Sequence, residues 1–136
     1  MRMMAKIPEF VPYYLQLRWV FLQNRWASPF WTSDNPVVLH NSVPAGPLGN
    51  LGLLCRGIEV HLPLGPERVL ALCDPLHFRD VPDVIDVSQD GVRTENQLQV
   101  RSATRYVFAP TDDFAAARAY LAANPRAATG RSMRVV

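Results

Sequence analysis

Strands early and helices late place this chain in the α+β class, with a small, mostly antiparallel sheet of five or six strands and two helices near the C-terminus. Three observations carry that expectation. Apolar and polar residues alternate at period two over residues 14–23 and again over 58–62, the pattern of half-buried strands. The run Val69 to Cys73 is continuously apolar, as a central strand is. Both helix-opening signals fall late, at Thr94 and Thr111.

In the first alternating segment Leu15, Leu17, Trp19 and Phe21 point one way and Gln16, Arg18, Val20 and Leu22 the other. Gln23-Asn24-Arg25 is a turn candidate, and Pro29-Phe30-Trp31-Thr32 can return as a partner strand, giving a hairpin. A short apolar run follows at Val37-Val38-Leu39. The Pro- and Gly-rich stretch over residues 41–52 is a long loop. Ile58-Glu59-Val60-His61-Leu62 is the second clear strand, Leu64-Gly65-Pro66-Glu67 turns the chain, and Asp74-Pro75 stops the strand that ends at Cys73. Residues 76–91 are irregular and acidic. Thr94-x-x-Gln97 reads as a capping box opening a helix to about Ala103. Residues 105–109 form a last strand, ended by Pro110. Thr111-Asp112-Asp113 opens a second helix, striped by Phe114, Ala117 and Leu121 and stopped by Asn124-Pro125. The division is one domain over residues 1–125 and a flexible basic tail over 126–136.

Composition narrows the class of protein. Apolar residues at 49% and charged residues at 19% argue against wholesale disorder. No apolar run approaches the roughly 18 residues that span a bilayer. Pro8 and Glu9 interrupt before any leader-like hydrophobic segment develops, so the expected location is the cytoplasm and no membrane partner is expected. A net charge of +2 is too small to point to nucleic acid without a patch, and the basic C-terminus permits that partner without favouring it. Cys55 and Cys73 sit in apolar surroundings with no close Cys or His pair, which reads as buried thiols. Neither a metal nor any other cofactor is expected.

The most distinctive local string is Ser33-Asp34-Asn35-Pro36, between an aromatic strand and Val37-Val38. Asp and Asn side chains accept backbone N–H bonds two residues on, and Pro36 biases Asn35 towards extended backbone, so the string reads as a side-chain-locked corner. The wider string WTSDNPVV resembles the signature of the bacterial domain-of-unknown-function family 4238. Two further features fit in the right order. One is the strand ending in Pro63-Leu64, the other an Asn-bearing helix, with Asn96, running into Arg105-Tyr106-Val107-Phe108. The resemblance covers roughly Leu15 to Ala109 and implies likeness to the C-terminal part of longer relatives. It implies no activity.

Candidate site residues follow from this string. Asp34 and Asn35 could line a polar pocket with Asn96 and Arg101 opposite, a carboxylate, amides and a guanidinium suited to a phosphate ester or a peptide-like group. The competing structural reading has Asp34 capping the turn and Asn96 bonding nearby backbone. Glu59 and His61 project from one strand face and could form an acid/base pair, but a solvated strand face is the expectation. The glycine loop at 46–52 lacks a P-loop ending, and no serine sits in a nucleophile elbow. The function is therefore unassigned, and the first reading is a non-catalytic binding or interaction domain. The alternatives are a small hydrolase or nuclease using Asp34 with Arg101 and a histidine, and a nucleic-acid-binding accessory protein. Trp19, Phe21, Trp26, Phe30 and Trp31 crowd the early hairpin, which predicts self-association or a protein partner through that hairpin.

Overall fold

Period-two alternation becomes paired strand wherever a long-range partner exists, and the computed structural model, described for residues 7–128 and 134–135, shows which partners were found. A helix α1 (Ile7–Gln16) leads directly into β1 (Arg18–Gln23), followed by β2 (Thr32–Ser33), β3 (Val38–Asn41), β4 (Ile58–Gly65), β5 (Arg68–Cys73) and β6 (Val84–Asp86). Then come α2 (Gln89–Ser102), β7 (Tyr106–Phe108), α3 (Ala115–Ala123), α4 (Pro125–Ala128) and β8 (Arg134–Val135). The main sheet has the order β3-β4-β5-β1-β6, antiparallel except for the parallel β1–β6 pair, and β2-β7-β8 form a second, smaller sheet. The class is α+β, with α2, α3 and α4 following the strands of the main sheet and α1 preceding them.

The expected early hairpin does not form. β1 pairs instead with β5, residue Val20 opposite Ala71, and with β6, Phe21 opposite Val84. Thr32 and Ser33 pair with Phe108 and Val107 of β7. Asn24 does form a local turn, its side-chain nitrogen donating to the Ser28 carbonyl at 2.6 Å and its oxygen accepting from the Trp26 amide at 2.8 Å, but β5 and β6 occupy both edges of β1 and leave residues 29–32 no edge to pair with. The aromatic residues separate accordingly. Phe30 and Trp31 are buried, while Trp19 and Trp26 remain about half exposed. Residues 14–16, read as the start of the first strand, belong to α1. Within the expected tail, residues 129–133 and 136 lie outside the described residues, and Arg134-Val135 runs parallel to Tyr106-Val107.

Strand register assigns every side chain of the main sheet to a face. The inner face carries Val20 of β1, Val69, Ala71 and Cys73 of β5 and His61 of β4, all buried. Phe78, Val81 and Ile85 pack on Val20, Ala71 and Cys73, and Phe30 and Val92 pack on Val69. A further core joins Trp31, Val100, Ala103, Val107, Phe114 and Ala117, binding α2, α3 and β7 together. The outer face carries Trp19, Phe21, Leu70, Leu72, Val60 and Val84. At one end of that face Tyr14 of α1 and Leu53 pack on Leu17, Ile58 and Val60.

Candidate functional site

α2 begins five residues before the expected capping box, because Ser88 caps it: the Ser88 hydroxyl accepts from the Gly91 amide at 3.1 Å. Thr94 lies inside the helix, its hydroxyl donating to the Asp90 carbonyl. This start turns Val92, Asn96, Gln99 and Ala103 into one stripe at helical spacing, and all four are buried. Two amides in an apolar stripe must be bonded to be tolerated. Asn96 Oδ1 accepts from the Trp31 amide at 2.8 Å and its Nδ2 donates to the Pro29 carbonyl at 3.0 Å. Gln99 Oε1 accepts from the Ser33 hydroxyl, and Gln99 Nε2 donates to the Pro36 carbonyl, both at 2.9 Å. Thus one helix reads out the backbone of residues 29–36 as a neighbouring strand would, but through side chains.

The Asp34-Asn35 corner completes this seam. Asp34 Oδ1 and Oδ2 accept from the amides of Thr104 and Arg105, each at 2.8 Å. What little burial Asp34 has raises its pKa; those backbone amides outweigh it and hold the carboxyl below its usual value of 3.8. Asn35 donates to the Ser102 carbonyl and hydroxyl, and the Ser102 hydroxyl donates back to the Asn35 carbonyl at 2.9 Å. The turn bond from residue 35 is supplied by Ser33, whose hydroxyl accepts from the Asn35 amide. The corner is locked by side chains, but Asp34 reaches 70 residues along the chain rather than two.

Of the four residues singled out from sequence, Asp34, Asn35 and Asn96 therefore lie along one α2 seam with their polar atoms directed into backbone. Arg101 lies on the exposed side of α2 and takes part in an interaction of its own. Two surface grooves are present, the first adjoining the 29–36 segment. One, of about 250 Å³, is lined mainly by Trp31, Pro63, Leu64, Pro66, Phe108 and Pro110, and the other by residues such as Tyr13, Leu54, Cys55 and Leu76.

A second polar cluster was expected as a solvated strand face, and it is buried. His61 is 4% exposed. Its Nδ1 lies 3.0 Å from Glu95 Oε2 of α2, and its Nε2 lies 3.5 Å from Glu59 Oε1 without the alignment of a hydrogen bond. The His40 ring stands edge-on, 6.1 Å from that of His61. Burial alone would depress the His61 pKa; the contacts and charges of Glu59 and Glu95 outweigh it and raise it to about 9. At neutral pH the ring is an imidazolium, a donor clamped between two carboxyl groups, and not a proton acceptor. Beside it, burial and then the charge of Glu59 push the Cys73 thiol up to about 12, which leaves no thiolate at neutral pH.

The two clusters use different stretches of α2. Glu95 and Ser102 are seven residues apart, so the His61 ring and the Asp34 corner are served by points about 10 Å apart along the helix. Among the described residues, no group of three or more His, Cys, Asp or Glu side chains is arranged to hold a metal ion. The sequence reading missed Glu95, Gln99 and Ser102. The available signal was the appearance of amides at the positions where a Val92–Ala103 stripe calls for apolar residues.

The family model described as Protein of unknown function (DUF4238) matches residues 2–113. The chain belongs to this family. The DUF4238 match takes in α1, the main sheet, α2 and β7, and hence both the 33–36 corner and the helix that locks it. No curated protein matches the chain, and no solved structure does. Membership of DUF4238 brings a family but no activity. No helix among the described residues is long and apolar enough to cross a membrane.

Proposed function

We propose that this DUF4238 chain is a non-catalytic interaction domain that associates through the outer face of its main sheet. The observation that carries this reading is the asymmetry of β5. Its inner residues Val69, Ala71 and Cys73 are buried, whereas its outer residues Leu70 and Leu72 are equally apolar and only half-buried. Trp19 and Val84 extend the same outer face and are 51% and 57% exposed. An apolar sheet face on the order of several hundred Å² is usually covered by another chain. The polar groups offer a weaker case for catalysis, since Asn96 and Gln99 are consumed in holding residues 29–36 and His61 is held protonated. Light scattering across a dilution series tests the reading. The expected result is a two-fold dimer that dissociates on dilution; a strictly monomeric protein up to roughly millimolar concentration, where weak association still registers, overturns it.

A further inference from the structure

Self-association through the outer face leaves open what lies on it, and the chain supplies a specific occupant. We infer that two copies exchange their N-terminal helices, α1 of each lying over Trp19 and Phe21 of the other. This rests on the reading of the outer face as an interface.

Two apolar surfaces stand exposed among the described residues. The first is the apolar flank of α1 beside Tyr14. The helix reaches its own core through Tyr14, while Phe10, Val11 and Leu15 are 50%, 44% and 67% exposed. Val11 and Leu15 are four residues apart and share a helix face, while Phe10, four residues before Tyr14, extends the side that Tyr14 uses. The second is the outer sheet face beyond Leu72, which runs on to Trp19, Phe21 and Val84. One is a ridge and the other nearly flat, the pairing by which a helix laid on a sheet buries both.

The fold also prevents α1 from using its own sheet for this. Leu17 alone separates the last helical residue, Gln16, from the first residue of β1, Arg18. The Leu17 amide bonds back to the Tyr14 carbonyl at 3.2 Å, fixing the helix at the start of the strand. A helix tethered one residue before β1 cannot swing across to cover Trp19 and Phe21 of that same strand. A second copy has no such tether.

The rim of the face fits the same partner. Beside Val84 it carries the Arg25–Asp86 ion pair at 3.3 Å, with Arg68 at the neighbouring strand end. Both signs are present on this border. A polyanion selects a border of one sign, whereas a mixed border is compatible with a copy of itself.

Charge exchange tests the geometry. Leu15→Glu and Trp19→Lys are made separately and examined by light scattering, alone and mixed in equal amounts. Helix exchange predicts that each variant alone dimerises at least tenfold more weakly than the unaltered chain. The mixture recovers dimer, because one contact then opposes the introduced carboxylate and the introduced ammonium while the other is unaltered. If Trp19→Lys dissociates the dimer but Leu15→Glu does not, or if the mixture fails to recover, exchange is overturned and the interface reading stands. A monomeric unaltered chain overturns both. Circular dichroism verifies that each variant is folded, and Val11→Glu replaces Leu15→Glu should that variant unfold.

Discussion

The two faces of the main sheet are made of similar residues and meet opposite fates. On the inner face Val20, Val69 and Ala71 are sealed under α2 and the segment leading to β6. On the outer face Leu72 joins the cluster that Tyr14 of α1 packs on, while Leu70 and Phe21 are half-buried and Trp19 is exposed. The difference lies less in hydrophobicity than in polar bonding. The inner side is fixed by His61, whose partner Glu95 sits on the covering helix, and that helix's own amides Asn96 and Gln99 bond residues 29–36, so the helix has one place to go. On the outer side the polar bonds lie at the margins, where Arg68 donates to Gln23 and Asn41 donates to the Asn50 and Arg56 carbonyls, and among the described residues none of these bonds ties a helix across the face. Apolar residues supply the drive to be covered, and buried polar groups decide by what.

That contrast can be broken most severely at Asn96. Asn96→Ala leaves the Trp31 amide and the Pro29 carbonyl without their partner in a buried setting. The expected loss is about 3 kcal/mol in urea unfolding; a loss below about 1 kcal/mol would mean that water replaces the side chain and that α2 is not held by it.

The next largest effect is on pH dependence. The folded-state pKa of His61, about 9, lies above its ordinary 6.5. Its contribution is therefore fully present below pH 6.5 and is lost as pH rises through 9, amounting to about 3 kcal/mol. Urea melts from pH 6 to pH 10 should show this decline in the unaltered chain and lack it in His61→Asn. Parallel profiles for the two proteins would detach the ring from the stability of the inner face.

The smallest effect gives the finest comparison. Val69→Thr and Val84→Thr make the same chemical change on opposite faces, at 0% and 57% exposure. The inner substitution buries a hydroxyl and is expected to cost about 2 kcal/mol, the outer one no more than about 0.5 kcal/mol. Equal costs in the monomeric state would show that the outer face is already covered within the chain.

Legibility in the sequence followed the range of the interactions. β4 and β5 could be read within a few residues because alternation marks the first, a continuous apolar run marks the second, and Asp74-Pro75 ends it. β1 could be read, but its partner could not. The hairpin assumption placed its neighbour about ten residues on, whereas the neighbours are Leu70 and Val84, opposite Phe21. α1 was hidden because Pro8 and Pro12 suppress a helical reading, and because Leu15 and Leu17 continue the alternation of the strand that follows. The start of α2 was hidden because its first turn is polar and lacks a stripe. The Ser-Asp-Asn-Pro corner was legible as a lock, and its counterpart on α2 and the residues just after it was not: Asp34, Asn35 and Ser33 find partners 66 to 71 residues away. Glu59 and His61 were correctly placed on one strand face by spacing. That the face is closed depends on Glu95, 34 residues on, and no local pattern carries that.

The distance spanned by the α2 seam has a consequence in time. The Trp31 amide waits for Asn96, 65 residues later in the chain. At ordinary rates of synthesis, about 5–20 residues per second, that interval is roughly 3–13 s. During it Phe30 and Trp31 have been made, but the helix that buries them has not. Each newborn chain thus passes through a stage with two large aromatic rings exposed, long compared with the microseconds in which a helix forms. Chaperone capture or aggregation on the ribosome would act in that window, and shortening the interval between the corner and its helix would narrow it.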